Sequence, residues 1–410
     1  MTAADSRSGA VRSAAATQGR RGAVACSAAA MQARIATGLA AALVLALAAC
    51  APAPVPATQP TTPAQLRFLG EAHLPSGRVD GMDVGGLSGI DYDATRDRWV
   101  VISDDRSRRD PARFFTARIS WNDATGLDVK LDAATALRRR DGRPFTPGSI
   151  DPESIRMTPA HDGVLVSSEG LRATRPRRSL IDPFIREFGL DGQERRRFEM
   201  PANFAVAERA GPRSNSVLEG IAVTPDGKSL WASLEGPMLQ DDDVPTLTRG
   251  AWLRFTRFDM ASGKPVRQIV YELSPLPARG WFGMSGGDYF PDIGVSEIAA
   301  LDDHRLIVLE RSFTFGPGFV SRLFEIDTRG ATDVLALQSL EGATFTPATK
   351  RLLLDLTKLP VAAENVEGLA IGPRVKHVDG SPGGRLVVIV ADDNFSPFLQ
   401  NQFLALELPD

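Results

Sequence analysis

Acidic residues recur at matched places along this chain. Ser88 and Asp104, Glu153 and Glu169, and Glu219 and Glu235 are each separated by 16 positions. Midway between the last two pairs lie His161-Asp162 and Asp226-Gly227, which are turn-forming sequences. An antiparallel hairpin turning there sets the two ends opposite each other, with their side chains on one face. Glu153 with Glu169 and Glu219 with Glu235 are therefore expected as like-charge pairs. Such pairs destabilise a sheet unless a cation, an arginine or a shared proton relieves them. Glu297 with Glu310, and Glu367 with Asp392 or Asp393, repeat the theme over different spacings.

Oxygen ligands of this kind suit a hard cation such as Ca2+. Paired carboxylates can also activate a water or hold one proton for acid–base work. The expected roles are ligand or water-activating base for Glu153, Glu219, Glu297 and Glu367. Asp104, Glu169, Glu235, Glu310, Asp392 and Asp393 are expected as further metal ligands. Arginines gather beside these acids, at Arg106, Arg108, Arg109 and Arg113 and again at Arg311. Guanidinium groups there could bind phosphate oxygens in bidentate fashion. Arg106 and Arg311, with Asn394 just after the last acidic pair, form the expected substrate-binding set. The other reading of the arginines is compositional, because 41 of the 47 basic residues are arginine.

The acids sit within a repeat. Segments starting at Leu87, Pro152, Leu218, Ser296 and Val366 each contain an apolar run, a turn and a second apolar run ending in acid. That is a β-hairpin signature. Aligned on Ser88, Glu153, Glu219, Glu297 and Glu367, the repeats are spaced by 65, 66, 78 and 70 residues. A further strand-like pair follows most hairpins, giving the four strands of a propeller blade. After the fifth hairpin only QFLALEL remains, so LRFLGEAHL from residue 66 is expected to close the ring. No long helical period appears. The chain reads as an all-β single propeller with five blades, or six if the long 219-to-297 interval hides a degenerate one. If the hairpin strands are innermost, the acids form a ring at one mouth of the central channel. Alternatively they bond backbone amides of the next blade and only fix the ring.

One further pattern is chemical in appearance. Gly283-Met284-Ser285-Gly286-Gly287 matches G-x-S-x-G, but a nucleophile elbow needs a strand before it and a helix after it. The flanks here read as loop. A serine esterase using Ser285 with His304 and Asp302 is thus a third reading. His73, His161 and His377 lie near turns or strand ends and read as solvated.

Residues 35 to 49, IATGLAAALVLALAA, form an uncharged apolar run of signal-peptide length, preceded by Arg34. The run is short for a membrane span. It ends in Leu47-Ala48-Ala49-Cys50, which resembles the lipobox of bacterial lipoproteins and implies lipidation at Cys50. A plain secretory signal cut a little later is the alternative. Met31 offers a compact start for this signal, and residues 51 to 63 (APAPVPATQPTTP) fit a semi-rigid Pro-rich tether. The expected organisation is an upstream segment and signal over 1–49, a tether over 50–64 and a propeller over 65–410. Such a protein would face the periplasm from an outer-membrane anchor.

The charge balance changes with the signal removed. The whole chain of 410 residues carries a net charge of −3; from Cys50 onward it has 42 basic and 49 acidic groups, a net −7. This balance argues against nucleic-acid binding, which needs a basic face. Two cysteines exclude a disulfide-rich scaffold and a Cys-based zinc site, and four histidines without a His-x-His or His-Glu-x-x-His pair argue against a histidine-rich metal centre. Metal chemistry must fall to oxygen ligands.

The hairpin run GLSGIDYD…WVVISDDRS, DPESIR…GVLVSSEG, NSVLEGIAVTPDGKSLWASLEG, VSEIAAL…LIVLERSF and NVEGLAIGP…VVIVADDNF resembles the family called esterase-like activity of phytase, over about residues 66 to 408. The resemblance implies an exported bacterial β-propeller named for a phosphoesterase activity. Two departures stand out: Ser88 occupies a place where other repeats have Glu, and Ile298 replaces the small residue after Glu297. The Asp-Asp-Pro-Ala and Asn-Asn-Phe-Asp blocks of calcium-dependent propeller phytases have no match here. The expected function is hydrolysis of a small phosphorylated substrate or other anionic ester, assisted by Ca2+. The alternative is a non-catalytic envelope propeller that binds a ligand or a partner protein.

Overall fold

The computed structural model describes residues 66–173, 179–214, 216–277, 292–314, 316 and 318–410. Five four-stranded antiparallel sheets stand in a ring. Blade 1 runs outward through Leu87–Asp93, Arg98–Ser103, Arg113–Asn122 and Gly126–Ala136. Blade 2 comprises Pro152–Met157, Gly163–Ser168, Phe184–Gly189 and Glu194–Arg197. Blade 3 comprises Leu218–Val223, Ser229–Leu234, Ala251–Asp259 and Pro265–Leu273. Blade 4 comprises Asp292–Ala300, Arg305–Thr314, Gly318–Asp327 and Thr349–Asp355. Blade 5 is mixed in origin: Val366–Lys376, Pro382–Ala391 and Asn401–Leu408 are joined at the outer edge by Arg67–Leu74.

The N-terminal strand thus pairs antiparallel with the C-terminal one, from Arg67 opposite Glu407 to Leu74 opposite Asn401. This is the closure expected from the sequence. The inner strand of every blade touches the inner strands of both neighbours, so the ring has five members. The six-blade alternative is thereby set aside.

Burial explains the strand sequences. Each interface between adjacent blades holds its own apolar cluster. Ile102 and Phe114 meet Ile155 and Phe188 between blades 1 and 2. Leu165 and Ile185 meet Ile221 and Phe258 between blades 2 and 3. Trp231 and Phe255 meet Ile298 and Phe324 between blades 3 and 4. Ile307 and Leu323 meet Val387 and Leu404 between blades 4 and 5. Trp99 and Phe115 meet Val388 and Phe403 between blades 5 and 1. Because both faces of a blade are covered, second strands such as Val100-Val101-Ile102 and Val387-Val388-Ile389-Val390 are continuously apolar rather than alternating.

Every inner strand carries a β-bulge at the same level. The ladder slips between Leu87 and Gly89, Pro152 and Ile155, Leu218 and Ile221, Val295 and Glu297, and Val366 and Gly368. An extra residue re-aims its neighbours and increases the local twist. Just past the bulge the strands crowd the axis, and the residues there are small: Gly89, Ser154, Gly220 and Gly368. A Cβ on Gly89 would meet Glu153 O at 2.8 Å, and one on Gly220 would meet Ile298 N at 2.6 Å.

A buried ion pair of Arg156 and Glu297 lies among the inner strands. Arg156, 4% exposed, donates to the carbonyls of Ile90, Ile155 (2.9 Å), Ile298 (2.7 Å) and Leu369 (2.9 Å). Those carbonyls belong to the inner strands of blades 1, 2, 4 and 5. Its Nη2 also lies 3.0 Å from Glu297 Oε1. Removing one partner of a buried, hydrogen-bonded pair leaves the other charge uncompensated, at a cost of about 3–5 kcal/mol. Arg156→Ala is accordingly expected to lower unfolding free energy by about that amount, whereas Arg329→Ala, at an exposed pair with Asp327, should leave the melting temperature unchanged. Equal melting temperatures for the two variants would contradict this role of Arg156.

Candidate functional site: an acidic ring at one channel mouth

The inner-strand bulges deliver Glu153, Glu219 and Glu367 to one end of the axis. Asp104, Glu169, Glu235 and Asp392 arrive from the second strands. Their backbone N–H groups bond the carbonyls of Gly86, Asp151, Val217 and Asn365, one step beyond the regular ladder. The glutamates and their expected partners are therefore not directly opposed, because the bulge shifts the register: Pro152 faces Ser168, and Leu218 faces Leu234. The expected pairs Glu153–Glu169 and Glu219–Glu235 still meet at their carboxylates, and Glu169 links the acids of blade 2 to those of blade 3. Asp151, Glu153 and Glu169 each bring an oxygen within 4.8 Å of the other two, and so do Glu169, Glu219 and Glu235.

Asp151 is a ring member that sequence reasoning missed. It precedes Glu153 by two residues, and the period-2 alternation of a strand places both on one face, so Asp151-Pro152-Glu153 carried the signal.

The energetics are those of crowded, desolvated like charges. Burial, then Glu219, Asp151 and Glu169, pushes Glu153 well above the usual carboxylate range. Burial, then Glu235, Glu169 and Glu367, does the same to Glu219. Asp104 is raised by burial, then Glu367 and Asp151, and Asp392 by burial, then Asp104 and Glu367. Burial and then Asp151 push Glu169 up to about 8, against the opposing charge of Arg106. Asp392 is 1% exposed, and its Oδ2 has no hydrogen-bond partner among the described residues.

Two arginines lie in the ring, both engaged. Arg106 forks onto Asp151, with Nε 2.6 Å from Oδ1 and Nη2 2.6 Å from Oδ2, and reaches Glu169 at 3.6 Å. Arg311 Nη2 lies 3.1 Å from Glu235 and 3.8 Å from Glu367. Each neutralises acids of the ring. Asn394 is exposed at φ 49°, its backbone N–H donating to Asp392 Oδ1 at 2.7 Å.

Three other expected site residues are taken up by the scaffold. Glu297 stands one position later in its bulge than the sequence alignment implies, at the level of Ser154 and Gly220, and Ser296 takes the place of the ring glutamates. Its carboxylate accepts from Ser154 Oγ (2.7 Å), Ile221 N (3.2 Å) and Ile298 N (3.0 Å) and pairs with Arg156. Burial raises its pKa to about 7, opposed by Arg156 and Ser154. It belongs to this buried pair and not to the mouth. The same one-residue offset sets Glu310 opposite Val295 and Arg311 at the ring level. Glu310 Oε1 instead accepts from Tyr271 Oη (2.7 Å), Ser274 N (3.1 Å) and Lys350 Nζ (2.6 Å). Asp393 ties blade 5 to blade 1 by accepting from Gly86 N (2.8 Å), Phe395 N (2.9 Å) and Asn401 Nδ2 (3.1 Å). For these three the architectural reading holds.

Glycines open space for the ring. A Cβ on Gly294 would lie 2.2 Å from Glu235 Cγ, and one on Gly86 would lie 2.0 Å from Asp104 Oδ1. Residues 278–291, with the G-x-S-x-G pattern and Ser285, fall outside the described residues, as do residues 1–65 with Cys50.

The oxygen-rich donor set and the orphaned Asp392 oxygen fit a hard divalent cation. Among solved structures the chain is similar to an α-L-arabinofuranosidase from Lactobacillus brevis (8% identity, 79% of this chain and 91% of that one, TM-score 0.39). It is also similar to a hypothetical protein from Leishmania major (11%, 84% and 91%, TM-score 0.35). A third is a putative oxidoreductase (glucose dehydrogenase) from Thermus thermophilus (11%, 83% and 99%, TM-score 0.32). No curated protein matches. The family model described as "Phytase-like: Esterase-like activity of phytase" matches residues 82–395, more than half of the chain. With the five-bladed ring and the ordered hairpin blocks, the chain belongs to the phytase-like, esterase-like activity of phytase family.

Proposed function

We propose that this protein is a lipid-anchored hydrolase of phosphoric esters that works with a calcium ion held by the acidic ring. The observation that carries this reading is the convergence of Asp104, Asp151, Glu153, Glu169, Glu219, Glu235, Glu367 and Asp392 on one mouth with Arg106 and Arg311 among them. Eight carboxylates against two guanidiniums is a site short of positive charge. Asp151, Glu153, Glu169, Glu219 and Glu235 would hold the cation, which would supply positive charge against the phosphoryl oxygens. In the cation-free ring burial and then Asp151 push Glu169 up to about 8, so the cation would displace a proton there near neutral pH. Arg106, clamped on Asp151 and Glu169, fixes the orientation of that carboxylate. Arg311 holds Glu235 and Glu367 apart from each other's charge. The family's name supports ester hydrolysis as the reaction class.

Purified protein is expected to hydrolyse p-nitrophenyl phosphate or a phosphodiester analogue in Ca2+ and to lose that activity in chelator. Glu219→Gln and Glu169→Gln should each reduce turnover at least tenfold while leaving the fold intact. Turnover that is indifferent to calcium and to both variants would remove the ring from the reaction, and no turnover on any ester would favour a ligand-binding propeller.

Export and anchoring rest on the lipobox-like Leu47-Ala48-Ala49-Cys50 and on the Pro-rich tether after it. The full chain expressed in a Gram-negative host should incorporate labelled palmitate and sediment with outer membrane. Cys50→Ala should abolish the label; a labelled Cys50→Ala protein, or an unlabelled native one, would refute the anchor.

A further inference from the structure

The loop after the second strand of blade 1 is organised by a single carboxylate. Asp105 is buried and accepts the backbone N–H groups of Arg108 (2.9 Å), Arg109 (3.2 Å) and Asp110 (2.9 Å). Its Oδ2 also pairs with Nη1 of the fully buried Arg113 at 2.8 Å. Ser107 takes φ 54°, and its Oγ accepts from Ala112 N at 2.9 Å. This loop presents Arg108 and Arg109, both exposed. Among the described residues neither guanidinium has a carboxylate partner, in contrast to Arg106, Arg113, Arg156 and Arg311.

Arg109 is nonetheless held in place. Its guanidinium carbon lies 4.5 Å from the centre of the Phe395 ring. Phe395 follows Asn394, and both take φ 49°, two successive non-glycine residues in the left-handed region. For a bulky aromatic residue that backbone is strained and persists only where the surroundings enforce it. Asp393 enforces it here by accepting from both Phe395 N and Gly86 N. The ring rests against Gly85 and Gly86, where a Cβ on Gly86 would meet Phe395 Cε2 at 2.6 Å and Asp104 Oδ1 at 2.0 Å. Phe395 therefore sits beside an acid of the ring and carries a guanidinium on its face. A stacked guanidinium keeps its N–H donors free in its own plane, which suits bidentate capture of an oxyanion. Next to it, Arg108 lines a cavity with Arg106, Ser149, Asp151 and Ser168.

We propose that Arg109, stacked on Phe395 and assisted by Arg108, is the anion-binding subsite of the mouth and takes the phosphoryl oxygens of the substrate. As a substrate subsite it rests on the hydrolase reading above; as an anion site it does not. Arg109 is the group that touches the ligand, and Phe395 is a positioning residue.

The test uses the full chain in Ca2+, with inorganic phosphate as probe in titration calorimetry and KM and kcat measured on p-nitrophenyl phosphate. Arg109→Ala should weaken phosphate binding and raise KM at least tenfold, with kcat and melting temperature little changed. Phe395→Ala should weaken phosphate binding in the same sense, and Phe395→Tyr should restore it. Unchanged phosphate affinity in Arg109→Ala, or no phosphate binding by the unaltered protein, overturns the proposal. If no ester is turned over but phosphate binds through Arg109, the anion site stands and the hydrolase reading falls.

Discussion

Like charge crowded around an axis is the constraint on which this molecule turns. A propeller brings the starts of its inner strands together, and this one places carboxylates on three of them and on four of the second strands. Desolvation and mutual repulsion both oppose ionisation there, and both appear in the raised pKa values of Asp104, Glu153, Glu169, Glu219 and Asp392. A scaffold with no use for those charges gains nothing by holding them. Two guanidiniums offset part of the repulsion, and the remainder is a standing demand for positive charge.

The rest of the architecture serves that mouth. Five apolar interfaces fix the blades, and the outer strand Arg67–Leu74 locks the ends of the chain together. Below the ring, Arg156 and Glu297 stitch the inner strands through backbone carbonyls and amides, so the charged layer rests on a polar but satisfied pair. Blade 4 breaks the five-fold pattern. Its one-residue offset sends Glu297 into the buried pair and Arg311 into the ring, in place of a fourth glutamate and a fifth outer acid. An equal ring of acids would carry still more repulsion, and the offset replaces one acid with a cation at the ring level.

Much of this was legible in the sequence, for identifiable reasons. Turn chemistry at Asp226-Gly227 and His161-Asp162, and a recurring pair of apolar runs, define hairpins with or without a known register. The unpaired QFLALEL called for a fourth strand, and residues 66 to 74 supplied it. Register was not legible, because a bulge adds a residue without a sequence mark. Aligning Glu297 with Glu219 was therefore wrong by one position, and Glu310 moved with it to Lys350 and Tyr271. Asp393 looked like Asp392 but points at the amides of Gly86 and Phe395. Asp151 lay within a strand alternation that the hairpin spacing did not use.

The most direct measurement is the melting temperature against pH, with and without calcium. The usual glutamate value of 4.5 is raised to about 8 at Glu169, so the folded state binds the extra proton between those values. In chelator, the contribution of Glu169 to stability is therefore fully present below about 4.5 and is lost as pH rises towards about 8. Calcium needs the deprotonated ring and competes with those protons, so the account predicts a calcium-induced rise in melting temperature that is small near the lower value, grows through the window and disappears in Glu219→Gln. A calcium effect that is absent, independent of pH, or unchanged in Glu219→Gln would contradict it.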